Sequence, residues 1–433
     1  MASQASQPDN RLTYTPRYVD IGINLSDPIF RGCYHGHQKH PDDLAGVVDR
    51  ARQVGCTKLI ITGSDIKSSL DALKLSQEYR TVLPFQPPSR IHEGIGTKIL
   101  THLAAGTCYA TAGIHPCSSA IFGSPDINSN SSNSEHTTPC EADPHAPMPE
   151  SHLPDPESSA KAIEQLTSLV SEAQATPSAP HRLVALGEFG LDYDRLNYCN
   201  AAIQRHSFAA QLQFAASLQR PLPLFLHSRA AHVDFVRLLK DAFGKDLERL
   251  ERGAVVHSFT GTLDELNELM DLGLYIGING CSFKTVNNCE VVRAVRLDRI
   301  MLETDGPWCE VRPSHEGFKY LLEKKEEQMA VQDGAATELA TGVDGLRVEE
   351  QDSKKARNKT VVKKKNQKKE PLIQERFKVV KKEKWEEGAT VKGRNEPCTI
   401  ERVATIVAAL KGMSVEQVCE AAWRNSIEVF GLD

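Results

Sequence analysis

Short apolar runs and longer amphipathic stretches take turns along this chain. The runs YVDIGIN at 18–24, TKLIITG at 57–63, TCYATAGIH at 107–115, RLVALGE at 182–188, LPLFLH at 222–227, AVVH at 254–257, LYIGING at 274–280 and RIMLETD at 299–305 read as eight buried strands. In the gaps, DLAGVVDRARQVG, SLDALKLSQEY, AAIQRHSFAAQLQFAASLQ, HVDFVRLLKDAF, LDELNELMDLG and NCEVVRAV read as helices. Near the C-terminus, Ile400, Val403, Ile406, Val407 and Leu410 repeat at a spacing that suits a helix laid against a core. Pro397 and Ser414 are placed to start the two last helices.

Strands alternating with helices imply a mostly parallel sheet covered on both faces, and eight such units close a (β/α)₈ barrel. An open doubly wound sheet that binds a dinucleotide would carry a Gly-rich phosphate loop after its first strand, and DIGINLSD has no GxGxxG. The expected fold is therefore an α/β TIM barrel. It spans 18–433 as a single domain, after a disordered N-terminus at 1–17.

Two segments break the alternation. Residues at about 120–160 are rich in Ser, Pro, Asn and acids, with too few aliphatic side chains to offset the entropy of ordering. Residues at about 325–375 pass from acidic and small to a Lys-rich run at 353–369. Both are expected to be disordered insertions in the barrel. The Lys-rich run has two readings, a nucleic-acid or nuclear-import patch and a solvated insertion, since no aromatic side chains are interleaved for base stacking.

Composition adds limits. The 433 residues are 40% hydrophobic and 25% charged, enough for one large decorated core, and the formal net charge of -6 gives no overall basic field. Eleven cysteines form no CxxC pair, MASQASQPDNR lacks the apolar stretch of a signal peptide, and no run approaches a membrane span. These features predict reduced thiols and a cytoplasmic or nuclear location, not a secreted or membrane protein. No obligate protein partner is evident.

The polar residues that close the apolar runs carry the chemistry. Glu188, His227, His257 and Asp305 each stand at or just past a predicted strand end, the rim where barrels of this kind place active sites. A single histidine there is ordinarily a packing residue, and a lone glutamate caps helices. Four such residues together point instead to divalent metal. Two carboxylates and two imidazoles suit a pair of ions (Mg²⁺, Mn²⁺ or Zn²⁺) about 3.5–4 Å apart, as in phosphodiester cleavage. The HxH in HGHQKH at 35–40 lies among Gly32, Gly36 and Pro41, so it reads as an exposed loop.

The words DIGINLSDPIFRG, AGIHP, GEFGLDYDRL, FLHSR, VVHSFTG, LYIGINGCSFKT, LETDGPWC, KWEEG and RNEPC occur in that order and cover nearly all of the chain outside the insertions. In this the chain resembles the TatD family of metal-dependent deoxyribonucleases. The resemblance implies an amidohydrolase-type barrel and a metal-dependent hydrolase of phosphodiester bonds, a 3′→5′ exonuclease acting on DNA ends, with RNA as a second candidate substrate. By motif, Glu188 is similar to the family's bridging carboxylate, His227 and His257 to its imidazole ligands, and Asp305 to its last ligand, which also takes a proton from the attacking water. His115 resembles a histidine facing the scissile phosphate. Catalysis is thus assigned to Asp305, His115 and Glu188, and substrate contact to Arg229 and Asn24.

Many relatives begin with HxH on the first strand, where this chain has Gly22 and Asn24. The loss of two imidazoles implies one well-held metal and a looser one completed by water or phosphate. Other roles stay open. Arg229 clamps a phosphate or pairs with an acid; Asp192, Asp194 and Arg195 cover the site or cap a helix; Asn395 and Glu396 orient a ligand or shape a turn. The alternatives for the whole chain are a metal-dependent amide or ester hydrolase, and a weakly active nucleic-acid-binding protein whose insertions carry its role.

Overall fold

The computed structural model describes residues 14–79, 107–124, 153–175, 182–322, 373 and 375–432. All eight predicted strands form, and one sheet takes them in chain order: β1 Tyr18–Ile23, β2 Cys56–Ile61, β3 Cys108–Ala112, β4 Leu183–Asp192, β5 Leu224–Arg229, β6 Ala254–Val256, β7 Tyr275–Ile278 and β8 Ile300–Leu302. Every paired neighbour runs parallel, because a helix crosses over between successive strands. The helices are α1 Leu44–Gln53, α2 Ile66–Glu78, α3 Pro156–Ala175, α4 Ala201–Ser217, α5 His232–Phe243, α6 Leu263–Asp271, α7 Val286–Ala294, α8 Ile400–Lys411 and α9 Val415–Phe430. Ser414 caps α9 by accepting from the Gln417 amide, and Pro397 opens a short 3₁₀ turn just before α8.

The alternation of side chains along each strand separates two cores. Val19, Ile21, Ile60, Tyr109, Val184, Phe225, Val255 and Met301 cluster with Val429 and Phe430 of α9. The other strand faces and the helices form the larger outer core. The first and last strands are joined beyond their ends, where the Asp305 amide donates to Gly22 O at 2.8 Å and the Asn24 amide to Gly306 O at 2.8 Å. The seam of the barrel is therefore also the rim that carries Asp305.

Three expectations change. Order begins before residue 18, since Tyr14 Oη and Arg17 both bond Glu420 of α9 and Arg17 lies over the Trp423 ring. The ends of the first insertion are structured: Pro116–Phe122 is a 3₁₀ helix, Gly123 bridges Pro154, and α3 starts at Pro156. Helix α3 went unread because its start lies inside the polar stretch. HGHQKH is a small hairpin, Cys33–Tyr34 against His37–Gln38, with His35 and His37 exposed and His40 buried in a stack on Trp385, so His40 is a packing residue. The remainder of both insertions, with the Lys-rich run, lies outside the described residues.

Candidate metal centre and active site

Glu188 owes its position to an irregularity in β4. The strand is buried throughout, but its pairing with β5 skips between Gly187 and Phe189, so Glu188 stands out of register while its amide donates to Gly63 O beyond the end of β2. Such a bulge re-aims one side chain. The result is a carboxylate at the centre of three imidazoles: Glu188 Oε1 is 2.7 Å from His257 Nε2, 3.0 Å from His227 Nδ1 and 3.3 Å from His115 Nε2.

The other nitrogen of each ring shows what each histidine can do. His227 Nε2 faces Asp192 Oδ2 at 3.2 Å, and His257 Nδ1 faces Glu303 Oε2 at 3.5 Å. Behind His227 the Asp192 carboxylate holds the proton on Nε2 and leaves Nδ1 for a ligand, the arrangement that supports metal-bound histidines, whereas Glu303 meets His257 as a charge contact without a hydrogen bond. The two near nitrogens stand 3.2 Å from each other. His115 is different, because its Nδ1 accepts from the Cys117 amide at 3.0 Å, which puts its proton on Nε2. It is arranged as a hydrogen-bond donor.

The electrostatics agree. Burial lowers His115 to about 3, with His227 adding to the effect, so the ring is neutral. Burial also works against charge on Glu188, yet His257 and His115 with the hydrogen bonds from His227 and His257 hold it well below the usual carboxylate range. Burial disfavours the imidazolium of His257, but Glu188 and Glu303 outweigh it and hold that ring well above its ordinary value. Against burial, the bond from His227 and the charges of Arg229 and Arg195 keep Asp192 low. The charged His257 ring offers no lone pair until it gives up its Nε2 proton, so an ion entering here would displace that proton and take over the charge that Glu188 and Glu303 favour.

These residues fit a divalent cation. Donors bound at about 2.0–2.1 Å to one ion lie roughly 3 Å from each other, and Glu188 Oε1, His227 Nδ1 and His257 Nε2 are separated by 2.7–3.2 Å. His115, Glu188 and His227 form a compact donor group, and His115, Cys117 and Asp192 form a second that shares its histidine. The second suits an ion less well, since burial pushes the Cys117 thiol up to about 12.

Asp305 stands beside this knot with its oxygens engaged: Oδ1 accepts from Asn24 Nδ2 at 3.1 Å and Oδ2 from Cys309 Sγ at 3.2 Å. Burial lifts it to about 7, with Glu303 and Glu188 adding and His257 opposing. Asn24 thus holds Asp305, although the sequence reading placed it on substrate. Arg229 is half-buried with no carboxylate within 4.0 Å among the described residues, leaving its guanidinium available. Asp192 both caps the turn Tyr193–Arg195 and backs His227, with Arg195 3.2 Å away. Asn395 ties Thr304 O and Trp308 O, so it shapes the loop after β8; Glu396 belongs to a buried ion cluster away from the site.

Glu303 escaped the sequence reading. It is fully buried, accepts from the Ser258 amide at 2.5 Å and from Asn279 Nδ2 at 3.2 Å, and backs His257. Two glycines make its space: a Cβ on Gly22 would lie 2.7 Å from Glu303 Oε2, and one on Gly277 3.0 Å from Oε1. The available signal was an acid inside the apolar run RIMLETD, two residues before the aspartate already chosen.

A (β/α)₈ barrel with histidines and carboxylates gathered at the carboxyl ends of its strands has the make-up of a barrel enzyme with its active site at that rim. The family profile of TatD related DNases matches residues 96–431. Deoxyribonuclease Tat-D of Schizosaccharomyces pombe is 36% identical over 414 residues, 95% of each chain. The 3′-5′ ssDNA/RNA exonuclease TatD of Edwardsiella piscicida is 33% identical over 299 residues, 67% of this chain and 79% of that one. Among solved structures, an uncharacterized amidohydrolase from Saccharomyces cerevisiae superposes with a TM-score of 0.68 at 28% identity, covering 96% of this chain and 100% of its own. The chain belongs to the TatD-related DNase family and is by that membership a hydrolytic nuclease.

Proposed function

We propose that this protein is a divalent-metal-dependent deoxyribonuclease that removes nucleotides from DNA ends in the 3′→5′ direction. The observation that carries the reading is the convergence of His227 Nδ1, His257 Nε2 and Glu188 Oε1, with a carboxylate behind each imidazole. Those three residues, with Asp305 at the edge, would hold the metal. When bound, a divalent ion supplies charge neutralisation at a phosphoryl oxygen and makes water nucleophilic near neutral pH.

The chain's own groups supply the rest. His115, with its proton fixed on Nε2, donates to a non-bridging oxygen of the scissile phosphate. Arg229 supplies a fork of donors to the same or the neighbouring phosphate. Asp305, set by Asn24, takes the proton of the attacking water. The donor set leaves a second ion dependent on substrate phosphate, with Asp305 as its candidate neighbour. RNA is a second substrate to test, because the bacterial relative is named for both nucleic acids.

The test uses oligonucleotides labelled at the 5′ end with Mg²⁺ or Mn²⁺. A ladder shortening from the 3′ end, lost with EDTA and reduced about a hundredfold or more in His227→Ala and Asp305→Ala, is expected. Equal cleavage by the double variant, or turnover of amide or ester substrates without any DNA cleavage, contradicts the reading. A ladder from 3′-labelled but not 5′-labelled strands reverses the polarity.

A further inference from the structure

Two thiols meet at the rim of the site. Cys281 lies in the turn Gly280–Phe283 after β7, and Cys309 in the loop after β8. Cys281 Sγ donates to Cys309 Sγ at 3.0 Å, and Cys309 Sγ donates to Asp305 Oδ2 at 3.2 Å. The approach is built into the backbones. A Cβ on Gly280 would stand 1.9 Å from Cys309 O and 2.9 Å from Val311 N, so these loops touch only because residue 280 is glycine. Asn279 fixes the first loop by accepting from the Cys281 amide at 2.9 Å, and the Trp308 amide fixes the second by donating to Asp305 O at 3.0 Å.

We propose that Cys281 and Cys309 form a reversible disulfide, a redox modification site that governs Asp305. The oxidant is a hydroperoxide. Cys309, half-buried where Cys281 is buried, is the thiol it reaches first. Sulfur attacks the terminal peroxide oxygen, the O–O bond breaks, and the departing oxygen leaves as water (or an alcohol) with the thiol proton. This gives a sulfenic acid on Cys309. Cys281 then attacks the Cys309 sulfur, the S–S bond forms, the S–O bond breaks and a second water departs. Two electrons pass from the two thiols to the peroxide.

The reduced pair gives Asp305 a hydrogen-bond donor, and the disulfide removes it while stapling the loops after β7 and β8. Its effect on hydrolysis rests on the proposed nuclease function, whereas the cross-link does not. Full-length protein treated with hydrogen peroxide, alkylated and digested without reductant is therefore examined by mass spectrometry beside DNA hydrolysis. Expected is a linked peptide pair containing Cys281 and Cys309 that dithiothreitol releases. With it comes a fall in hydrolysis of about tenfold or more, also reversed by dithiothreitol, and the linked pair is absent in Cys281→Ser. A linked pair absent from the oxidised wild-type protein overturns the site, whatever the variant does. A linked pair with unchanged hydrolysis overturns the control of Asp305. Protein inactive even when reduced contradicts the nuclease reading, and the peptide result then still decides the disulfide.

Discussion

Asp20 illustrates how much one buried carboxylate does inside this barrel. It is fully buried on β1, where it accepts from the Thr304 amide at 2.9 Å, the Thr304 hydroxyl at 2.5 Å and the Gly22 amide at 3.3 Å. Burial nevertheless raises it to about 8, because the desolvation cost exceeds what those bonds return. A carboxyl whose folded value lies above its unfolded one stabilises fully below the unfolded value, near 3.9, and loses that contribution as pH rises toward 8. Asp20→Asn keeps the size and the acceptor oxygen. Denaturant melts should find it close to the wild type at pH 4 and more stable by over about 1 kcal/mol at pH 8; a variant less stable at pH 8 would show that the ionised form is needed. At the same scale the sequence was partly legible. Glu188, His227 and His257 announced themselves by ending apolar runs, whereas Glu303 sat inside one, and its role depends on two distant glycines.

At the scale of elements, the strand ends and their loops decide the chemistry. Gly22 on β1 and Gly277 on β7 leave a socket for Glu303, which then holds His257 from behind. The glycine where HxH was missing is thus what lets an acid occupy that space, a relation invisible without the pairing of the first and last strands. Gly22→Ala should push the Glu303 carboxylate off the Ser258 amide and His257. Activity should fall about 10–100-fold, with a stability loss of no more than about 1–3 kcal/mol; unchanged activity in a folded variant contradicts the role given to Glu303. Glu303→Gln, which keeps the shape, should show the same loss of activity with little change in stability. Element existence was readable from periodicity in every strand of the barrel, while the short hairpin Cys33–Tyr34 against His37–Gln38 was not. The exception among helices was α3, whose start is buried in a low-complexity stretch, and the ends of that stretch were ordered by contacts that no local pattern encodes.

Across the whole molecule, closure depends on joining the first unit to the last. Arg50 of α1 bonds Asp43 at 2.8 Å and Glu396 at 2.7 Å, and Arg394 bonds the same two acids at 2.5 and 2.8 Å, all buried. Burial pulls Asp43 up, but the two guanidiniums win and hold it below its usual value. A depressed carboxylate contributes above its unfolded value and is lost as pH falls through the folded one, so this clasp should loosen only below about pH 4. Asp43→Asn should cost about 3–5 kcal/mol at neutral pH, read by denaturation, because it strands buried guanidiniums; a loss under about 1 kcal/mol would show that the clasp is not needed. Sequence alone left Glu396 between orienting a ligand and shaping a turn, and missed its partner Arg50, 346 residues away. Metal binding by Glu188, His227 and His257 can be read without substrate or turnover, by Mn²⁺ titration followed by electron paramagnetic resonance. Wild-type protein should bind Mn²⁺, with affinity falling at least about 10–100-fold in His257→Ala and Glu188→Gln. Equal Mn²⁺ binding by the wild type and both variants would show that these residues do not hold the ion.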